Sequence, residues 1–293
     1  MRLTNHQNLP HALVRAALAD NYDKGDCDFS VTELLKPPRQ RAIEKKCEAE
    51  LEEDVSDTIY RLMGKIGHAI IEAARDPEEH DEVIEQRFFA DITGVRISGK
   101  PDLFQAQYGW DIWDWKFTSI WTTRDGIKPE WTQQLNMLKW LAEKNGFIIG
   151  KLYIGAIYRD WSKPQSLYKQ SYPKHQAEPF EVEVWSREET ERFILERIKA
   201  HYDAMIELPE CTASERWADP DVWKCKKKGG KRAVPGGVFT TEAEAILFAE
   251  KRNLEVEFRP AVSKRCECYC AAAPFCSQWQ AMKPSAPIVE EEI

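Results

Sequence analysis

No run of apolar residues in this 293-residue chain approaches the ~20 that a helix needs to cross a bilayer, so no membrane-spanning protein is expected. The opening MRLTNHQNLPHALVRA lacks the apolar stretch of a secretory signal, and we expect a cytoplasmic location. Internal repeats and long low-complexity segments are also missing, ahead of an acidic tail ending Glu290-Glu291-Glu292. No Cys-x-x-Cys occurs, which disfavours a thiol-redox enzyme. Positive charge is in deficit, with 41 Lys+Arg against 49 Asp+Glu and a net charge of −8. Any nucleic-acid contact must therefore be made by a local basic patch.

What is present is enough apolar material to build a core: 43% hydrophobic residues, with 31% charged residues left to wet the surface. At ~150 residues per domain, the length suits one large domain or two modest ones. Of the eight cysteines, Cys211, Cys225, Cys266, Cys268, Cys270 and Cys276 fall in the last third. In a reducing compartment such clustering points to metal more than to disulfides.

Along the chain, Ser30-Val31-Thr32-Glu33 is a helix-entry pattern, and Pro37-Pro38 breaks the run. From Arg39 to Arg75 the residues favour one long or two shorter helices. Val83 to Ile92, Val95 to Ser98, Asp102 to Ala106 and Trp110 to Phe117 are short β-rich runs, expected to form one antiparallel meander. A helix from Pro129 to about Lys144 and a buried strand within Phe147 to Trp161 follow. Phe180 to Trp185 adds a strand, and residues 186–208 an amphipathic helix. These elements make a mixed α/β core over residues 1–208. Residues 209–293 form a Cys- and Lys-rich C-terminal segment expected to pack back on that core. Within it, residues 209–239 read as a Pro-, Gly-, Lys- and Cys-rich stretch, ahead of a short helix over 240–252.

The informative segment is SGKPDLFQAQYGWDIWDWKFTS, residues 98–119. Alternation along a strand turns Asp114 and Lys116 to one face and Trp113, Trp115 and Phe117 to the other. A turn at Gly109 lets Asp102 approach Asp114. Converging carboxylates make a hard-oxygen site suited to Mg²⁺ or Mn²⁺. Such a pair, with a lysine beside it, is what hydrolysis of a phosphodiester needs: an activated water and positive charge for the phosphorus oxygens.

Taken in order, these residues resemble the PD-(D/E)xK nuclease superfamily and, within it, the RecB-like branch of recombination and CRISPR adaptation nucleases. Gly64, His68 and Glu72 are similar to the G-x-x-x-H-x-x-x-E helix of that branch. Gln134 matches the Gln of its Q-x-x-x-Y helix, with Leu138 standing where the Tyr would be. Ser30 to Arg39 is similar to its S-x-T-x-L opening, with Pro37 in place of the usual Cys. The resemblance covers about residues 30–160. It implies a restriction-endonuclease-like α/β core of helix, three-stranded meander, helix and strand, with added helical and Cys-rich segments at the two ends.

The resemblance further implies a deoxyribonuclease, preferentially an exonuclease, of recombination, repair or phage DNA metabolism. Its Mg²⁺ or Mn²⁺ would be held by His68, Asp102, Asp114 and the Trp115 carbonyl, with Lys116 and Gln134 as further catalytic residues. Some members carry a [4Fe-4S] cluster on one N-terminal and three C-terminal cysteines. Cys270 and Cys276 reproduce the last spacing, Cys266 or Cys268 precedes them, and Cys27, Cys47 and Cys225 are the candidates for the remaining place. Zn²⁺ is the other metal such thiolates suit.

DNA is the expected partner, with a recombination protein beside it. Trp121, Arg124, Lys128 and Trp131 are the nearer candidates for contact, and Lys226, Lys227 and Lys228 the second group. Two other readings stand: an endonuclease of the same chemistry, and a catalytically silent DNA-binding or assembly module stapled by a cysteine-metal site.

Overall fold

The computed structural model describes residues 2–19, 23–74, 82–84, 86–106 and 109–283. The acidic stretch Glu290-Glu291-Glu292 lies outside them. The chain begins with β1 (Arg2–Thr4), α1 (His11–Leu18), β2 (Phe29–Ser30), α2 (Val31–Leu35), α3 (Pro38–Lys46), β3 (Glu52–Asp54), α4 (Ile59–Ala73) and β4 (Glu82–Ile84). Next come β5 (Phe88–Ile92), β6 (Val95–Gly99), β7 (Leu103–Ala106), β8 (Trp110–Thr118), α5 (Pro129–Lys144), β9 (Ile149–Tyr158), α6 (Lys163–Tyr168) and β10 (Ala177–Val182). The last elements are α7 (Arg187–Ile206), β11 (Val222–Lys226), β12 (Ala233–Phe239), α8 (Glu242–Glu250), β13 (Glu255–Arg259), α9 (Lys264–Cys268) and α10 (Ser277–Met282). Two compact units result, one of Met1–Lys36 with Glu48–Glu207, the other of Pro37–Cys47 with Leu208–Ile293.

The first unit contains a five-stranded sheet of order β10-β9-β8-β7-β4. Strands β8 and β9 run parallel, with Asp114 beside Ile154 and Trp115 beside Gly155. Parallel neighbours need a crossover, and α5 supplies it. Helix α5 starts at Pro129, whose missing amide proton costs nothing in a first turn. It stops at Asn145-Gly146, where the Asn145 side chain donates to the Leu141 carbonyl at 2.8 Å and Gly146 takes a φ of +91°. Its residues from Leu135 to Ala142 are buried. Leu135, Leu138 and Leu141 pack with Phe104, Ile112, Leu152 and Ile154 of the strands into one core.

Helix α2 opens with a reciprocal cap: Ser30 Oγ accepts from the Glu33 amide at 3.2 Å, and the Glu33 carboxylate accepts from the Ser30 amide at 3.0 Å. The single meander expected from Val83 to Phe117 is instead divided between two sheets. Strand β4 pairs with β7, whereas the β5–β6 hairpin joins β2 in a three-stranded sheet of order β2-β6-β5. Pro101, which has no amide proton to give to a ladder, lies between β6 and β7, where the chain passes from one sheet to the other. The helical run expected from Arg39 to Arg75 is likewise two helices, α3 and α4, with β3 between them, and β3 pairs parallel to β1.

The second unit carries a three-stranded antiparallel sheet of order β12-β11-β13, with Cys225, Ala245 and Ala249 buried between it and α8. Residues 209–239, rich in Pro, Gly, Lys and Cys, contain two strands, β11 and β12. A second apolar cluster joins Ile43 of α3 to Ala272 and Cys276. Helix α3 belongs to this unit and not to the N-terminal helices it follows in sequence. Among the described residues, no helix is long and apolar enough to cross a membrane.

Candidate active site

Strand β8, WDIWDWKFT, turns Ile112, Asp114 and Lys116 to one side, and Ile112 and Asp114 are buried there. Asp114 is only 3% exposed. Its Oδ1 accepts from Gln134 Nε2 of α5 at 3.0 Å, while its Oδ2 is ion-paired with Lys116 and accepts no well-aligned hydrogen bond. The Lys116 ammonium donates to Gln134 Oε1 at 3.0 Å. Asp114, Lys116 and Gln134 therefore form a closed ring of three side chains.

Asp102 precedes β7, opposite the same part of β8. Its Oδ2 accepts from the Trp115 amide at 2.7 Å, which fixes it to the strand between Asp114 and Lys116. Its Oδ1 lies 3.4 Å from Nδ1 of His68. His68 comes from α4, which meets β8 through Gly67: a Cβ added there would lie 2.0 Å from the Phe117 ring. Only glycine allows the ring so close. The His68 and Phe117 rings are 5.8 Å apart. Glu72, one turn beyond His68, is exposed.

Burial pushes the Asp114 carboxyl up to about 6, with Lys116 opposing the rise and the charge on Asp102 adding to it. The hydrogen bond to Asp102 holds His68 above its usual value, against the effect of burial. Two carboxylates, an imidazole and a lysine thus share one electrostatic environment.

Among the described residues, no three His, Cys, Asp or Glu side chains are drawn close enough to hold a metal ion. In this arrangement the Asp114 oxygens face Lys116 and Gln134. The donor set nevertheless suits a hard dication, since it offers two carboxylates and an imidazole, and the buried Oδ2 of Asp114 has no aligned donor.

No family model and no curated protein matches the chain. Among solved structures it is similar to the crystal structure of SSO0001, at 16% identity and a TM-score of 0.47, over 72% of this chain and 93% of that one.

His68, Asp102, Asp114, Lys116 and Gln134 are brought together in the first unit, and Trp115 joins them through its amide. Leu138, at the position of the motif's Tyr, is 1% exposed and belongs to the core. Trp121 is 65% exposed, with the Arg124 guanidinium 5.7 Å from its ring. Trp131 differs: it packs against the core, with Lys128 Nζ 5.8 Å from its ring. Lys227 and Lys228 are exposed. Lys226 is not a free cation, because it is ion-paired with Glu257, which also holds Lys224 at 3.2 Å. One exposed pair had no sequence motif to mark it: Arg159 lies 4.4 Å from the ring of Tyr60.

Cys225 does not join the other cysteines. It is fully buried in the strand core of the second unit, where its Sγ donates to the Ala245 carbonyl at 3.3 Å. Cys268 is exposed. Burial, with Glu215 and then Cys276, Cys266 and Cys270 adding to it, pushes the Cys211 thiol up to about 12.

Proposed function

We propose that the chain is a metal-dependent deoxyribonuclease of the PD-(D/E)xK, RecB-like kind, with a restriction-endonuclease-like core, acting as an exonuclease on DNA in the cytoplasm alongside a recombination partner. The observation that carries this reading is the closed Asp114–Lys116–Gln134 ring next to the Asp102–His68 pair. A strand carrying a buried carboxylate and a lysine on one face, backed by a helix and followed by a parallel strand, also supports it.

His68, Asp102, Asp114 and the Trp115 carbonyl would hold Mg²⁺ or Mn²⁺. When bound, such an ion polarises water and neutralises charge on the phosphate. Lys116, kept in place by Gln134, adds fixed positive charge where negative charge develops on the phosphorus oxygens and orients the attacking water. With its carboxyl raised to about 6, Asp114 is mostly ionised at neutral pH, and protons compete with a metal for it only at lower pH.

The test is cleavage of end-labelled linear and circular DNA, single- and double-stranded, with Mg²⁺, Mn²⁺ or EDTA. Metal-dependent loss of linear DNA alone, abolished in Asp114→Ala and Lys116→Ala, supports the exonuclease. Loss of circular DNA as well replaces it with the endonuclease. Intact substrates under every condition would reject the catalytic reading and leave the silent DNA-binding or assembly module.

A further inference from the structure

Beside the ring of Asp114, Lys116 and Gln134, the first unit carries an arginine to which neither the core nor the chemistry described so far gives a task. Arg159 is the residue after β9, and its amide donates to the Thr118 carbonyl at 3.0 Å, so it sits level with the end of β8. Its side chain is exposed, and its guanidinium lies over the ring of Tyr60 at 4.4 Å from the ring centre. Nη1 donates to the Phe117 carbonyl at 3.4 Å, the one hydrogen bond that the guanidinium makes among the described residues. The adjacent acid is engaged elsewhere: the Asp160 carboxylate accepts from Ser119 Oγ at 2.5 Å and from the Ile120 amide at 2.9 Å.

The ring under Arg159 is not buried by the pairing, since Tyr60 stays 67% exposed. A guanidinium drawn to an aromatic face keeps its charge and loses little further freedom when its edge takes a phosphate, which it can grip with two parallel hydrogen bonds. The Asp160 contacts also anchor the turn that leads to Trp121 and Arg124, a second exposed ring with an arginine beside it.

Two elements fix how far the pair stands from the site. Lys116 lies beside Ala156 in the β8–β9 register, and from Ala156 to Arg159 is about 10 Å of strand. On α4, Tyr60 precedes His68 by about 12 Å of helix. Strand and helix thus place the pair at similar distances from the groups that would hold the metal and the reacting phosphate. At about 3.4 Å per nucleotide along a duplex strand, that is a step of about three nucleotides.

We propose that Arg159, seated on Tyr60, clamps a DNA backbone phosphate about three nucleotides from the bond that is cut, with Tyr60 as the residue that positions the guanidinium. This inference rests on the nuclease reading of the site and adds a grip on the strand away from the reacting atoms. Such a contact is made equally before and during the reaction, so its loss raises KM and leaves kcat.

Binding of a fluorescein-labelled DNA strand to the full chain is followed by anisotropy in EDTA across a salt series, and cleavage is followed with Mn²⁺. Arg159→Ala should weaken binding about tenfold and lower the slope of log affinity against log salt by about 0.7. Arg159→Lys, which keeps the charge without the planar fork, should restore the slope and only part of the affinity. Tyr60→Leu should weaken binding with the slope kept, and Tyr60→Phe should match wild type. In cleavage, Arg159→Ala should raise KM about tenfold with kcat unchanged, and a trinucleotide, too short to span the gap, should be cut alike by both chains. Arg192→Ala, at an exposed arginine of α7, is the control for net charge. Wild-type affinity and slope in Arg159→Ala, or an equal loss in Arg192→Ala, overturns the clamp and leaves the nuclease reading standing wherever DNA is still cut. A chain that cuts no DNA yet loses affinity and slope in Arg159→Ala keeps the phosphate contact and removes the nuclease reading. A wild type that does not bind DNA overturns both.

Discussion

Gln134 holds Asp114 through Nε2 at 3.0 Å while its Oε1 takes the ammonium of Lys116, so one amide on α5 sets both charged groups of β8. Gln134→Ala removes a donor from a buried carboxylate and an acceptor from the lysine. Cleavage of DNA should fall about 10–100-fold with the far-ultraviolet circular dichroism unchanged. An active Gln134→Ala would show that the ring is not what positions Lys116.

Asp114 should destabilise the fold at neutral pH when no metal is present. Its carboxyl is raised from 3.8 to about 6, so the energy it contributes is most favourable below 3.8 and is lost as pH rises through 6. Asp114→Asn removes that loss but leaves Lys116 without its ion partner. We expect the variant to be about 1–3 kcal/mol more stable than wild type to urea near pH 7.5, with the gap closing near pH 5. A gap that is constant with pH would refute the assignment of the strain to this carboxyl.

Affinity for Mn²⁺ should rise with pH. Both His68 and Asp114 hold protons more firmly than usual, and each proton must leave before the group can bind metal. Calorimetry at about pH 6 and pH 8 should show tighter binding at the higher value, with protons released. His68→Ala should weaken binding and flatten the pH dependence. Equal affinity at both values would remove these two groups from the ligand set.

Gly67→Ala should disturb the site from a distance. The new methyl group meets the Phe117 ring, which must move and carry the α4–β8 contact with it. A loss of about 1–3 kcal/mol is expected, with reduced activity. Phe117→Leu in the same chain should recover part of both, because it empties the space the methyl group needs.

For DNA contact, Trp121→Ala in an Asp114→Asn background should weaken oligonucleotide binding by about 1–3 kcal/mol. Replacing Lys227 and Lys228 should reduce the salt dependence of binding. Lys226→Ala should change it less, since its ammonium is already engaged by Glu257. Equal effects at all three lysines would mean that Glu257 does not hold Lys226 in solution.

Much of this was legible where the information is local. The Ser30–Glu33 cap, the Pro129 start and the Asn145-Gly146 stop are short-range devices, and α2 and α5 lie where those residues place them. The alternation in β8 put Asp114 and Lys116 on one side, and the order of the motifs anticipated that His68, Asp102 and Gln134 would meet them. Long-range pairing was not legible. Nothing near Phe88 says that its hairpin leaves the larger sheet for a two-residue strand at Phe29. In β11, Lys224 and Lys226 alternate with Trp223 and Cys225, a strand pattern masked by the surrounding glycines and lysines.

The parallel join of β8 to β9 fixes when the ring can come into being. These strands pair only across a loop that includes all of α5, and closing such a loop is an entropically slow event in folding. Asp114 and Lys116 sit on one side of that closure and Gln134 lies inside it. A nascent chain that has emerged only as far as β8 has both charged groups and no amide to order them. Whatever chemistry the ring supports needs α5 docked on the strands, because Gln134 reaches Asp114 and Lys116 only from that helix.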